Sequence, residues 1–152
     1  MKVYFSLGSN LGNRAELLER ALTLLNQEIG NLVFRSSFYE TEPWGFSSEH
    51  PFLNACCLYE TELSPIEVLH KTQQIEKELG RKRKSKIKKY HDRLIDIDLL
   101  LCDDLVINTK ELTIPHPLMQ ERKFVLEPLN EIAPDVIHPV LHISISEILN
   151  QL

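Results

Sequence analysis

Apolar and polar positions alternate along this chain in two rhythms. Val3 to Leu7 is a short apolar run closed by Gly8, which predicts a buried strand. Asn13 can cap a helix running to Glu28, where Leu17, Leu18, Ala21, Leu24 and Leu25 recur at helical spacing. Val33 to Glu40 and Phe52 to Thr61 read as the second and third strands. Between them, Thr41-Glu42-Pro43-Trp44-Gly45-Phe46 has the Pro and Gly of a loop. Ser64-Pro65-Ile66-Glu67 starts a second helix, with Ser as cap, Pro first and Glu three residues after the Ser. Val68, Thr72, Ile75 and Leu79 form its core stripe, and Gly80 ends it. Leu94 to Cys102 is a fourth strand. The order β-α-β-β-α-β predicts an α+β fold with a ferredoxin-like core. In the C-terminal third, Pro115, Pro117, Pro128, Pro134 and Pro139 oppose long helices. That part is expected to be an irregular extension with short helices near Glu127–Ile132 and Ser144–Leu149, the latter opening on a Ser-x-x-Glu box.

Composition narrows the class. The 152 residues, with no repeat or low-complexity linker, suit one domain over 1–152. No run approaches the roughly 18 apolar residues of a membrane span, and the N-terminus has no secretory pattern. Cys56, Cys57 and Cys102 are odd in number and lie in apolar strands. They read as buried free thiols in a reducing, cytoplasmic setting, without the paired spacing of a zinc site. Nothing apolar and exposed demands a partner, so a monomer is expected. The net charge of −5 argues against general nucleic-acid binding. It conceals an asymmetry: eight of the seventeen Lys and Arg residues lie between Arg81 and Arg93, beside a single acid, Asp92. Such a run is either a solvated loop or localisation signal, or a mobile loop that closes over a polyanion.

The next string favours the polyanion. In Arg93-Leu94-Ile95-Asp96-Ile97-Asp98-Leu99-Leu100-Leu101, strand alternation sends Ile95, Ile97, Leu99 and Leu101 to one face and Asp96 and Asp98 to the other. Two carboxylates about 7 Å apart on a strand suit magnesium, which takes few protein oxygens and completes its shell with water and phosphate. The bland reading, two solvated acids on an edge strand, sits poorly with the depletion of Asp in strands. Gln73 and Glu76 share a helix face just before the basic run. Phe52 and Asn54 share a strand face, and a buried Asn either reads a heterocycle or bonds nearby backbone. Gly8-Ser9-Asn10-Leu11-Gly12-Asn13 sits where a phosphate-cradling turn would, but lacks the P-loop and dinucleotide spacings and reads as a tight turn.

Taken together these strings resemble the 6-hydroxymethyl-7,8-dihydropterin pyrophosphokinase family of folate biosynthesis. The resemblance spans Ser6 to Gly12, Tyr39 to Gly45, Phe52 to Ala55, Gln73 to Glu76, Leu79 to Arg83, Arg93 to Asp98, Ile114 to Pro117, Arg122 to Leu126 and Pro128 to Asp135. It implies an ATP-dependent diphosphotransferase that moves pyrophosphate from ATP to the pterin hydroxymethyl group and releases AMP. Two magnesium ions would be held by Asp96 and Asp98, with ATP and the pterin as small-molecule partners. The resemblance assigns Arg81, Arg83, Arg93, Asp96 and Asp98 to catalysis. Gln73, Glu76, Arg83, Ile97, Leu99, Thr113, His116 and Arg122 match ATP contacts. Thr41, Glu42, Trp44, Phe52, Asn54, Tyr90 and Phe124 fall on the pterin side.

Three positions depart from the family pattern. Tyr90-His91-Asp92-Arg93 stands where Trp and Gly-Pro-Arg are usual, Glu42 where Pro is frequent, and Phe52 lacks the hydroxyl of a Tyr. Two other classes remain in view. Another two-acid, magnesium-dependent phosphoryl or nucleotidyl transferase would need the Asp pair but not Asn54 and Phe124. A basic-loop binder of RNA or an acidic partner would give the Asp pair no role.

Overall fold

The computed structural model describes residues 1–42, 51–80 and 94–152. Strand β1 is Lys2–Ser9, helix α1 Arg14–Glu28, β2 Gly30–Arg35, β3 Tyr39–Thr41 and β4 Phe52–Thr61. Helix α2 is Pro65–Glu78, β5 Asp96–Cys102, β6 Ile107–Asn108 and β7 Thr113–Ile114. A 3₁₀ turn at Met119–Glu121 leads into α3, Lys123–Ile132, and the described chain closes with α4, Ile145–Asn150. The main sheet is antiparallel in the order β2-β4-β1-β5, with β3 also pairing with β4. With β2 and β3 counted as one interrupted strand, this is the strand order of the ferredoxin-like unit that the sequence predicts.

Local chemistry sets the helix ends. The Asn13 side chain accepts from the Glu16 N–H at 3.2 Å. Ser64 and Glu67 form a full capping box, and so do Ser144 and Glu147. At the other end of α2, Gly80 has φ +127°, a conformation that L side chains rarely adopt.

Alternation along the strands builds two cores. Val3, Phe5 and Leu7 of β1 meet Leu18 and Leu25 of α1 and Val68 and Ile75 of α2 on one face. Tyr4, Cys56, Leu58, Leu100 and Leu101 meet Val125, Leu126 and Leu129 of α3 and Ile145 and Ile148 of α4 on the other. Burying an aliphatic side chain of this kind contributes ~1.5–3 kcal/mol, so each face alone holds a large share of the fold. All three cysteines are free and buried. Burial pushes the Cys102 thiol up to about 12 and those of Cys56 and Cys57 upward as well. Among the described residues no helix is long and apolar enough to cross a membrane.

Three expectations need correction. The second strand, read as Val33 to Glu40, starts earlier and is broken. At the break the Ser36 hydroxyl, rather than a carbonyl, accepts from the Cys56 N–H at 2.9 Å, and the Ser37 N–H turns to the Glu131 carboxylate. Side-chain oxygens therefore replace one step of the ladder. In β5 the strict alternation fails at a bulge: Phe5 lies opposite Leu99 while Tyr4 lies opposite Leu101, so Leu100 is the extra residue. Leu101 consequently joins the α3–α4 core instead of sharing a face with Ile97 and Leu99. Finally, α3 begins four residues before Glu127 and carries Pro128 inside it. Burial of Val125, Leu126 and Leu129 outweighs the one backbone bond that proline removes.

The turn after α3 carries a pH-sensitive group. His138 is buried, and its Nδ1 accepts from the Val140 and Leu141 N–H groups at 3.2 and 3.1 Å. Burial, then the neighbouring His142, holds its pKa below the ordinary value of 6.5. Below pH 6.5 the unfolded chain therefore binds more protons at this site than the folded one, and stability falls with pH until the folded pKa is passed. Urea unfolding between pH 7 and 5 is expected to show a shallower loss for His138→Gln than for the parent. Equal slopes would contradict this.

Candidate active site

Along the α3–α4 face of the sheet, apolar residues give way to polar ones row by row. In one row Tyr4 stands between Leu58 and Leu101, all within the core. Two residues further along β1, Ser6 stands between Cys56 and Asp98. After two more, Gly8 stands between Asn54 and Asp96. The three strands thus carry the amide, the bare glycine and the acid side by side, with Asp98 one row behind.

Gly8 is the buried, side-chain-free position at the middle of this row. A Cβ built there would lie 3.0 Å from Asn54 Oδ1 and 3.5 Å from the Phe52 ring. Nothing in the chain's local pattern marks this role, because Gly8 reads as the end of a strand. Only the cross-strand register shows it, and the same holds for Ser6.

Asn54 is 2 % exposed and donates through Nδ2 to the Thr41 hydroxyl at 2.6 Å. This contact braces the amide structurally, through the Thr41 side chain rather than the nearby backbone expected. Thr41 lies opposite Phe52, and Glu42 beyond it is exposed. Phe52 and Phe124 are half-buried, the second in the first turn of α3.

The acidic side is equally ordered. Asp98 keeps 30 % of its side chain exposed and has Arg122 Nη1 3.9 Å from Oδ2. The same guanidinium lies over the Phe124 ring, 5.6 Å from its centroid. On the outer edge of β5 the Glu76 carboxylate accepts from the Ile97 N–H at 2.8 Å. Further along that edge the His116 N–H donates to the Leu100 carbonyl at 2.9 Å. Glu76 is buried while Gln73 is exposed, so one of the two helix-face residues anchors β5 and the other faces outward. The Ile97 and Leu99 side chains belong to the α1–α2 core. Thr113 is exposed on β7, opposite Asn108.

His116 is tuned to neutrality. Its Nδ1 accepts from the Leu118 N–H at 3.2 Å, which leaves the ring proton on Nε2. Burial and then the Arg122 charge lower its pKa to about 4, against an opposing pull from Asp96. At neutral pH it is an uncharged N–H donor beside the acids.

Among the described residues no three His, Cys, Asp or Glu side chains gather into one cluster. Magnesium does not ask for one: a carboxylate or two, with water and phosphate oxygens completing the shell, is its usual protein share. The Asp96 and Asp98 pair fits that demand and offers neither the sulfur nor the nitrogen that zinc favours. Of the sequence-predicted residues, Trp44, Arg81, Arg83, Tyr90 and Arg93 lie outside the described part of the chain.

The family model described as 7,8-dihydro-6-hydroxymethylpterin-pyrophosphokinase (HPPK) matches residues 4–134. The chain belongs to this family. A Porphyromonas gingivalis protein named 2-amino-4-hydroxy-6-hydroxymethyldihydropteridine pyrophosphokinase is 54 % identical over 138 residues, covering 90 % of this chain and 93 % of the relative. The Aquifex aeolicus protein of the same name is 44 % identical over 138 residues, covering 91 % and 84 %. Among solved structures, a Plasmodium falciparum HPPK-DHPS triple mutant superposes with a TM-score of 0.81 at 19 % identity. It covers 99 % of this chain and 44 % of that one, which supports the fold alone. The HPPK family match covers every described site residue named above, from Thr41 to Phe124.

Proposed function

We propose that this chain transfers pyrophosphate from ATP to 6-hydroxymethyl-7,8-dihydropterin, a step of folate biosynthesis. The observation that supports the reading is the row Asn54–Gly8–Asp96, in which an amide and an acid flank one bare backbone position. The pterin hydroxymethyl oxygen attacks the β-phosphorus of ATP, an O–P bond forms, and the bridging bond to the α-phosphate breaks. AMP leaves with the bridging oxygen, and the hydroxyl proton passes to solvent.

The chain's own share is placement and charge. Asn54, braced by Thr41, offers its amide to the polar edge of the pterin, with Glu42 and Trp44 in the loop beyond. Phe124 and Phe52 supply apolar ring faces, and Tyr90 would cover the pterin from the basic loop. Arg122 and neutral His116 donate to the triphosphate, and Gln73, Glu76 and Thr113 border the nucleotide; Ile97 and Leu99, whose side chains lie in the α1–α2 core, could take part only through their backbone. Arg81, Arg83 and Arg93 add cations there. Magnesium bound by Asp96 and Asp98, two ions in all, would offset the phosphate charge and orient the triphosphate. Aligning two substrates in this way is worth several kcal/mol of barrier. The free thiols fit a reducing cytoplasm, and we read residues 1–152 as one catalytic unit acting as a monomer.

The test is direct. With the hydroxymethyl dihydropterin, ATP and magnesium, AMP should form in step with the pterin diphosphate. ADP as product, or turnover that does not depend on pterin, would overturn the assignment.

A further inference from the structure

Glu131, near the end of α3, reaches across to the break between β2 and β3. Its Oε1 and Oε2 accept from the Ser37 N–H at 3.1 and 3.0 Å. Oε2 also accepts from the Ser37 hydroxyl at 3.2 Å, and Oε1 from the Tyr39 hydroxyl at 2.7 Å. The partners are 94 and 92 positions away in the chain. One carboxylate therefore meets three donors at the break between β2 and β3, and bonds to an ionised acceptor are the stronger kind.

The elements it joins are the two walls of the pterin side. Helix α3 carries Phe124 in its first turn, and β3 ends on Thr41, whose hydroxyl holds the Asn54 amide. Tyr39 lies directly opposite Asn54 in the ladder. With three residues, β3 has a short ladder, and side chains add to it. Arg14 of α1 holds Glu40 at 2.8 Å, and Glu131 holds Ser37 and Tyr39 from the helix that bears the aromatic face.

We infer that Glu131 is a positioning residue for the pterin half of the site, setting the spacing between the Phe124 ring and the Thr41–Asn54 pair. The inference rests on the reading that Asn54 and Phe124 hold the pterin. Asp96, Asp98 and His116 are placed by β5 and its outer edge, on the far side of β1, and Arg122, though it caps α3, is also tied to that side through Asp98. Loss of Glu131 should therefore fall on one substrate and spare the other.

The experiment measures KM for the dihydropterin, KM for ATP, kcat and the melting temperature for Glu131→Ala, Glu131→Gln and Tyr39→Phe. Glu131→Ala should raise the pterin KM by about tenfold and leave the ATP KM within about twofold. Glu131→Gln should fall between it and the parent, because its amide keeps one acceptor oxygen. Tyr39→Phe, which loses one hydroxyl, should move the pterin KM in the same direction by less. An unchanged pterin KM would overturn the inference. So would a parallel rise of both KM values with a lowered melting temperature, the mark of general loosening. If Glu131→Ala fails to fold, Tyr39→Phe decides by the same split. Failure of the unsubstituted protein to use the pterin would overturn the site reading itself, and it is seen before any variant is made.

Discussion

Replacing Asp98 by alanine is expected to lower pterin-dependent AMP release by about a thousandfold, the equivalent of ~4 kcal/mol of transition-state stabilisation. The fold should survive. Asp98 is partly exposed and belongs to neither hydrophobic core. What would be lost is the proposed oxygen ligand for magnesium, together with the negative partner 3.9 Å from Arg122. Freed of that partner, the guanidinium can bind phosphate more firmly in the ground state, so the ATP KM should rise little while kcat collapses. Asp98→Asn keeps the shape but not the charge and should behave alike. Activity within tenfold of the parent at limiting magnesium, with unaltered circular dichroism, would refute the role given to Asp98.

Gly8→Val is expected to raise the pterin KM by roughly 100-fold, about 2.7 kcal/mol, while ATP binding persists. Gly8 lies in a regular strand, paired on both sides, and valine is favoured in strands. Its backbone does not occupy the left-handed region, so the main chain accepts a side chain there. The obstruction is local. The first added carbon already sits 3.0 Å from Asn54 Oδ1 and 3.5 Å from the Phe52 ring, and the two methyl groups of valine add bulk beyond it. Gly8→Ala should show a smaller effect of the same sign. Fluorescence titration with the pterin in the presence of a non-hydrolysable ATP analogue would measure it, and parent-like affinity in the valine variant would remove Gly8 from the site.

Most of the frame was legible from spacing alone. The strand and helix order, the Asn13 and Ser64 caps, and the Asp96 and Asp98 face all depend on neighbours within four residues, which a sequence displays. The features that escaped depend on partners far along the chain. Ser36 ends a strand because its hydroxyl meets Cys56 and because Glu131 captures Ser37. Leu100 is surplus only by comparison with β1. Helical spacing pairs Glu76 with Gln73 on one face but does not show that its carboxylate takes the Ile97 N–H of β5. Gly8 matters through what stands on either side of it, two other strands that no local pattern can place.

The row that passes through Gly8 also fixes a length. Asn54, Gly8 and Asp96 are successive rungs across β4, β1 and β5. Their separation is set by two inter-strand steps, about 9–10 Å in all. Backbone hydrogen bonds hold that distance, so side-chain substitution can weaken either grip without moving one toward the other. On the proposed assignment of Asn54 to the pterin and Asp96 to the phosphate side, the sheet would act as a caliper for the two substrates. A pterin whose alcohol arm is one carbon longer should still bind against Asn54 yet carry its oxygen past the phosphorus, making the sheet itself the judge of arm length.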